Sequence, residues 1–284
     1  MKLSSYNTFM GMLMREGLEC ACESASRLGF EGVELLDFCP LRRKASYEFY
    51  TVDEYLRAFE KYHLSLACYS TAACLWSDNE DALLDELFRQ ADFAATLGSK
   101  LFHHTFTIGL PHTPDTLPYK DVLARVVPVA QKVAEHCDRL GITCLYEPQG
   151  FYVNGIDGLG MLYEEMKKRA HNIGICGDVG NPLFVDAEPE AIFKHFASDI
   201  KHVHVKDYIR TDEPLPEGKA SRSQAGKYLY DCRLGNGVVN IGACIESLVR
   251  AGYDGYISFE IAGDEAVVAD AIRYVKDKIQ AACQ

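Results

Sequence analysis

The feature that most constrains this chain is a regular alternation of short apolar runs with longer segments of helical periodicity. Strands that alternate with helices of this length form a parallel sheet. The alternation repeats about eight times, and eight strand–helix units in a chain of 284 residues match the size of a (β/α)8 barrel. We therefore predict an α/β fold in which residues 1–284 form a single (β/α)8 (TIM) barrel domain.

The predicted strands are short and are separated by helices that often end at a glycine, the usual left-handed helix stop. They cover residues 3–9, 32–38, 64–73, 100–106, 142–148, 172–178, 200–207 and 255–261. One long irregular stretch, residues 209–237, follows the seventh strand. Loops of this length in a compact domain are usually functional. We predict that it forms a lid over the mouth of the site.

The seventh strand, IKHVHVKDY, carries an unusual polar face. Side chains alternate along a strand, so His202, His204 and Lys206 point to one side, whereas Val203 and Val205 point to the other. Two imidazoles and an ammonium are costly to bury without partners. The sequence therefore predicts that other polar groups face this side of the strand.

Three other predicted strands end in a carboxylate: Glu147 in CLYEPQG, Asp178 in GICGDVGNP and Glu260 in YISFEIAG. The carboxyl ends of barrel strands meet at one rim, where active sites lie. Three carboxylates and His204 converging there predict a site for one divalent metal ion. The alternative is that individual carboxylates make ordinary ion pairs with Lys206 or a histidine.

The net charge and the distribution of apolar residues limit the classes of partner that the chain can bind. The formal net charge of −12 argues against nucleic acid and anionic membranes, which both require a basic surface. No stretch approaches the roughly 20 apolar residues of a membrane span. The eleven cysteines lie mostly in apolar segments without a CxxC pair, and the start of the chain has no apolar signal. We expect a cytoplasmic protein without a membrane partner. The sequence allows either a monomer or a homo-oligomer.

Four segments resemble the xylose isomerase-like barrels, a family that includes ketose 3-epimerases, inosose isomerases and dehydratases, hydroxypyruvate isomerase and 3-dehydroshikimate dehydratase. They are LYEP, GDVGN, HVHVKD and the closing GYDGYISFE. The resemblance extends over the whole chain. It implies that Glu147, Asp178, His204 and Glu260 bind one divalent ion, and that Glu147 and Glu260 move the substrate proton. Mn²⁺ is the first expectation, and Mg²⁺, Co²⁺ or Zn²⁺ are the alternatives.

This chain departs from many family members at one position. They carry a substrate-holding histidine three residues after the aspartate, where this chain has Asn181. We retain Asn181 as a substrate-binding candidate, together with Lys206, Glu34 and His104, the last being nearer the rim than His103. The GNG sequence at residues 235–237, which precedes a helix, is a weaker candidate for binding a phosphate on backbone amides.

The resemblance implies an isomerase or epimerase of a sugar, sugar phosphate or inosose, and the residue types fit proton transfer through a metal-stabilised enediolate. Loss of a β-hydroxyl from the same intermediate would give a dehydratase, and loss of an aryl carbon a C-glycoside-cleaving lyase. A nuclease of the endonuclease IV type would need three zinc ions and further histidines. A non-catalytic sugar-binding subunit would be expected to lack a metal ligand. We therefore expect a small-molecule carbohydrate partner.

Overall fold

The computed structural model describes residues 1–110 and 117–284. Strands and helices alternate along the chain, as the sequence pattern predicts. The strands are β1 (Lys2–Ser5), β2 (Gly32–Cys39), β3 (Ser65–Ala73), β4 (Leu101–His104), β5 (Thr143–Tyr146), β6 (Ile173–Asp178), β7 (Ile200–Val205), β8 (Asp207–Thr211), β9 (Ser221–Arg222), β10 (Tyr228–Cys232) and β11 (Tyr256–Phe259). The α-helices are α1 (Asn7–Glu16), α2 (Leu18–Leu28), α3 (Ser46–Phe49), α4 (Val52–Lys61), α5 (Glu80–Thr96), α6 (Tyr119–Arg139), α7 (Ile156–Lys167), α8 (Pro189–Phe196), α9 (Ile241–Arg250) and α10 (Glu265–Ala282).

Eight of these strands close into a parallel barrel in the order β1-β11-β7-β6-β5-β4-β3-β2. This arrangement confirms the predicted (β/α)8 barrel. Strands β5, β6, β7 and β11 are consecutive in the barrel wall, and Asp178 is paired directly with His204 across β6 and β7. The closure therefore brings together the four strands that carry the predicted metal ligands.

The hydrophobic core lies between the outer face of the barrel and the surrounding helices. On β7, Val203 and Val205 are buried in it. Phe93 of α5 makes edge contacts with Tyr55 of α4 and Tyr69 of β3, so aromatic rings pack the helices against the barrel. Polar residues of the same strands are left for the inner face, where the candidate site lies.

Two boundary predictions are wrong. The first strand ends at Ser5, and residues 7–9 belong to α1 because the chain turns at Tyr6. The stretch 209–237 is not wholly irregular: β8, β10 and β9 form a small antiparallel sheet. Residues 212–219 between β8 and β9 remain exposed, so any lid movement would involve this shorter segment.

Candidate metal centre

Strand β7 places its polar side chains inside the barrel. His202, His204 and Lys206 are at most 6% exposed, so each needs partners within the protein. The partners come from carboxylates on β2, β5, β6 and β11. The structure therefore confirms that other polar groups face the side of β7 that carries the two histidines and Lys206.

The four predicted ligands meet at the carboxyl-terminal rim of the barrel. Glu147 and Glu260 directly follow β5 and β11, while Asp178 ends β6. Each of the three and His204 offers one ligand atom within 4.8 Å of the others. The Nδ1 atom of His204 lies 2.8 Å from Oε1 of Glu147, 3.8 Å from Oε2 of Glu260 and 4.0 Å from Oδ2 of Asp178. This geometry brings three hard oxygen donors and one imidazole nitrogen to one point.

Asp178 is held in place by the backbone that follows it. Its Oδ1 accepts the N–H groups of Gly180 at 2.8 Å and Asn181 at 2.6 Å. Its Oδ2 is buried without a hydrogen bond, and the Lys206 ammonium lies 3.0 Å away. Burial raises the pKa of Asp178 to about 7, the charge of Lys206 opposing the rise and that of Glu147 adding to it. One carboxylate oxygen is thus fixed while the other points into the cluster, as a metal ligand requires.

Lys206 is the buried cation of this cluster. Its Nζ lies 2.8 Å from Oε2 of Glu260 as well as 3.0 Å from Oδ2 of Asp178. Burial alone would lower the pKa of Lys206, but these two carboxylates raise it well above its usual value. The ammonium neutralises part of the negative charge of the cluster, and the carboxylate oxygens that it contacts are the kind of ligand that a hard divalent ion takes.

Glu147 lies between two imidazoles. Its Oε2 is 3.3 Å from Nε2 of His103, and its Oε1 contacts His204. Burial would raise the pKa of Glu147, yet His204 and His103 hold it well below its usual range. This carboxyl group is therefore ionised, as both a ligand and a general base must be.

The structure changes the roles expected for the two β4 histidines. His103 faces the barrel interior, where its Nδ1 lies 3.0 Å from Oγ of Ser70. His104 lies on the opposite face and packs against the rings of Phe106 and Tyr146. His104 was the substrate-binding candidate because it is nearer the rim. The orientation of the strand corrects this choice, and His103 is the histidine beside the cluster.

Glu34 does not line the cluster as a substrate-facing side chain. It is fully buried, and it is hydrogen-bonded to Nε2 of His202 at 2.8 Å and to Nε2 of His204 at 2.9 Å. It therefore contacts His204 through the ring nitrogen opposite the one that faces the other ligands. The predicted substrate contact is replaced by a contact between buried side chains.

Asn181 begins a short 3-10 helix, Asn181–Val185, directly after the Asp178 turn. It is only 4% exposed, and its Nδ2 has no hydrogen-bond partner within the described residues. A buried amide donor without a partner is costly. A ligand oxygen would satisfy it, so Asn181 remains a candidate for substrate binding, as does Lys206.

The backbone amides of the GNG segment already have a partner. The carboxylate of Asp207 accepts the N–H groups of Gly235 at 2.9 Å and Gly237 at 3.0 Å, and also those of Tyr208 and Val239. A Cβ atom at Gly237 would lie 2.1 Å from Oδ1 of Asp207, so this close approach requires glycine. The phosphate interpretation is therefore wrong, because these amides anchor the segment to the Asp207 carboxylate at the start of β8.

Sequence reasoning missed Ser70 and Tyr6. Ser70 donates a hydrogen bond to Glu34, and the ring of Tyr6 stacks on that of His204 at 5.0 Å. Ser70 lies between a tyrosine and a threonine in β3, so no pattern in the sequence singled it out. Tyr6 had no such signal either, because it was assigned to a strand that the structure ends at Ser5.

The fold and the rim define the class: a (β/α)8 barrel with a carboxylate–imidazole centre at the carboxyl ends of its strands. The family model described as xylose isomerase-like TIM barrel matches residues 22–278, and the chain belongs to this family. No curated protein sequence matches the chain. Within the described residues, no helix is long and apolar enough to cross a membrane.

Solved structures share the fold at low sequence identity. A D-allulose 3-epimerase from Methylomonas sp. has a TM-score of 0.75 at 15% identity, with 98% of each chain covered. A probable 3-DHS dehydratase from Bacillus anthracis has a TM-score of 0.75 at 18% identity, covering 97% of this chain and 99% of its own. The IOLI protein with a zinc atom has a TM-score of 0.73 at 15% identity, covering 99% of this chain and 98% of its own.

Proposed function

We propose that this chain is a divalent-metal-dependent isomerase or epimerase that acts on a sugar or inosose. The observation that carries the proposal is the convergence of Glu147, Asp178, His204 and Glu260, whose ligand atoms lie within 4.8 Å of one another. Family membership and the fold shared with an epimerase support the same class of reaction.

The four converging residues would hold one ion. The buried Oδ2 of Asp178, which lacks a hydrogen bond, and the three-oxygen, one-nitrogen donor set fit Mn²⁺ first, with Mg²⁺, Co²⁺ or Zn²⁺ as alternatives. When bound, the ion would supply Lewis-acid polarisation of a substrate carbonyl and its neighbouring hydroxyl, which would acidify the C–H bond of the carbon that bears this hydroxyl.

The two glutamates then divide the proton transfers. Glu147 accepts the proton from the carbon next to the carbonyl, and the C–H electron pair forms the enediolate of the substrate. Glu260 is the more accessible of the two, with 22% of its side chain exposed, and would return a proton to the opposite face or to the neighbouring carbon. The first outcome is epimerisation and the second is isomerisation.

Charge favours an uncharged substrate over a phosphate near the reacting carbon. The cluster carries the three carboxylates of Glu147, Asp178 and Glu260, and Lys206 is its fixed cation. A divalent ion and Lys206 together neutralise these three charges, so no unpaired cation remains among the described residues of the cluster to bind a phosphate. We therefore place a free ketose or inosose ahead of a sugar phosphate.

A dehydratase or C-glycoside-cleaving lyase remains the second candidate, because it shares the first proton transfer and because a probable dehydratase has the same fold. A three-zinc nuclease is less well supported. Within the described residues, all three potential metal-binding groups include His204, so they do not provide three separate sites. The net charge of −12 also opposes DNA binding.

The eleven cysteines are free thiols, consistent with the expected cytoplasmic location.

The test combines a Mn²⁺ titration with solvent exchange. The purified protein is loaded with Mn²⁺ in D₂O and incubated with ketoses, inososes and their phosphates, and deuterium incorporation is measured by mass spectrometry. We expect one ion per chain and incorporation into an uncharged substrate. Incorporation without metal, or metal binding that survives loss of all four ligands, would contradict the proposal.

A further inference from the structure

A second group of buried side chains lies behind the candidate metal centre. The Glu34 carboxylate bridges two histidines of β7, with Oε2 at 2.8 Å from Nε2 of His202 and Oε1 at 2.9 Å from Nε2 of His204. Ser70 donates a further hydrogen bond to Oε1. Glu34 and His202 are both 0% exposed, so neither contacts solvent.

These contacts form part of a closed ring of polar groups around the barrel interior. From Glu34 the ring passes through His204 to Glu147, whose second oxygen lies 3.3 Å from Nε2 of His103. The Nδ1 of His103 is 3.0 Å from the hydroxyl of Ser70, which returns to Glu34. The ring includes two of the four proposed ligands, and its remaining members lie outside the ligand set.

An imidazole can bind a metal only through a nitrogen that carries no proton. A carboxylate on one ring nitrogen keeps the proton there and leaves the lone pair of the other nitrogen free. In His204, Nε2 lies 2.9 Å from the Glu34 carboxylate and Nδ1 lies 2.8 Å from that of Glu147. Only Nδ1 also faces Asp178 and Glu260, so an ion held by this cluster would replace the Nδ1 contact and leave the Nε2 contact in place. The stacked ring of Tyr6 further restricts rotation of the imidazole.

We infer that Glu34 is a positioning residue, which holds the proton of His204 on Nε2 and thereby turns Nδ1 toward the metal. The inference rests on the proposed function and adds to it a residue that touches neither metal nor substrate. His202 and Ser70 complete the hydrogen bonding of the Glu34 carboxylate, so that it stays correctly oriented.

Glu34, His202 and His204 are also close enough to be considered as ligands for a second ion. This group, however, offers three ligand residues within the described chain, whereas the rim cluster offers four, and Ser70 also donates a hydrogen bond to the Glu34 carboxylate. We therefore assign this group to hydrogen bonding. Two bound ions per chain would overturn the assignment.

The test compares Mn²⁺ binding by the Glu34→Gln and Asp37→Asn variants, using calorimetry. Asp37 is a matched control because it is also a buried carboxylate of β2, but it bonds to Tyr69 and Ser46 instead of the histidines. We expect Glu34→Gln to weaken Mn²⁺ binding by about 10- to 100-fold, the usual effect of losing an outer partner of a metal ligand. Asp37→Asn should lower the melting temperature but leave Mn²⁺ affinity within about twofold of wild type.

Folded Glu34→Gln protein that binds Mn²⁺ as tightly as wild type would overturn the inference and leave the proposed function intact. A wild-type chain that binds no divalent ion would overturn both. A measurement without any variant uses Zn²⁺-loaded protein labelled with ¹⁵N-histidine. The ring whose nitrogen shifts on Zn²⁺ addition should carry its proton on Nε2; a proton on Nδ1 would overturn the inference even if Glu34→Gln failed to fold.

Discussion

Strand β2 carries two buried carboxylates whose environments differ sharply. Glu34 faces the barrel interior and is bonded to two imidazoles, which hold its pKa well below the usual value although burial opposes this. Asp37 faces the helices and accepts hydrogen bonds from Tyr69 and Ser46. Burial raises the pKa of Asp37 despite those bonds. Two hydroxyl groups, a backbone N–H group and the Arg43 guanidinium surround the outer carboxylate, whereas two histidines and a serine surround the inner one.

The histidines of β4 repeat the comparison. His103 faces inward and contacts Glu147, whereas His104 faces outward among aromatic rings. Burial lowers the pKa of His104 to about 4, so it is neutral. The same residue type is therefore a packing group on one face and part of the candidate site on the other. Because side chains alternate along a strand, adjacent residues point to opposite faces: one packs in the core and the next lies at the candidate site.

The largest expected effect comes from changing the inner carboxylates. Glu147→Gln and Glu260→Gln each keep an oxygen for the metal but remove the proton acceptor. We expect each variant to bind Mn²⁺ and to lose turnover by a factor of at least about 10². The exposed Glu19→Gln change is the control and should retain turnover. Near-native turnover in either metal-loaded site variant would make that glutamate a ligand only.

The histidine pair tests the two faces directly. His103→Asn should lower turnover by about 10-fold, because Glu147 loses a partner that orients it. His104→Asn should leave turnover unchanged and reduce the free energy of unfolding by about 1 kcal/mol, because its ring packs in the core. Steady-state kinetics and urea unfolding measure both. Lost turnover in His104→Asn together with unchanged turnover in His103→Asn would contradict the assignment of the two faces.

Asp207 tests whether a buried carboxylate next to Lys206 in sequence can be purely structural. Asp207→Ala leaves four backbone N–H groups without their acceptor, those of Tyr208, Gly235, Gly237 and Val239. We expect a loss of about 1–3 kcal/mol in the free energy of unfolding, while Mn²⁺ affinity is retained. Asp231→Ala, an exposed change in β10, is the matched control. A large loss of Mn²⁺ affinity in folded Asp207→Ala would give Asp207 a role in the metal centre.

The smallest effect concerns the segment 212–219, which is exposed between β8 and β9. If this segment closes over the site, substrate should slow trypsin cleavage after Lys219 by a few fold. Cleavage after the exposed Lys61, on the far element α4, provides the internal reference. An unchanged ratio of the two cleavage rates would count against a lid role.

The barrel was predictable because its signal is repeated. Each strand is a short apolar run, each helix has its own periodicity, and errors at one boundary do not alter the count. Residues 7–9 show the limit: their apolar and polar residues suit either a strand or a helix, and the turn at Tyr6 decides between them. The small sheet β8–β10 was missed because its strands lie among prolines, glycines and charged residues.

The convergence of the four ligands was predictable from their positions after apolar runs, since barrel closure brings such strand ends together. The faces of His103 and His104 were not, because adjacent residues look identical until the pairing of β4 with β3 fixes the strand's rotation. The partners of Glu34 were also hidden. They come from β7, 168 and 170 residues away, on a different strand of the closed barrel.

The central claim is best tested by an anomalous difference map from a crystal of the protein soaked with Mn²⁺. The account predicts one strong peak per chain, bound by carboxylate oxygens of Glu147, Asp178 and Glu260 and by Nδ1 of His204. The Lys206 ammonium should then lie beside the peak instead of between Asp178 and Glu260. A map without a peak at this rim, or with the ion bound through Nε2 of His204 beside Glu34, would contradict it.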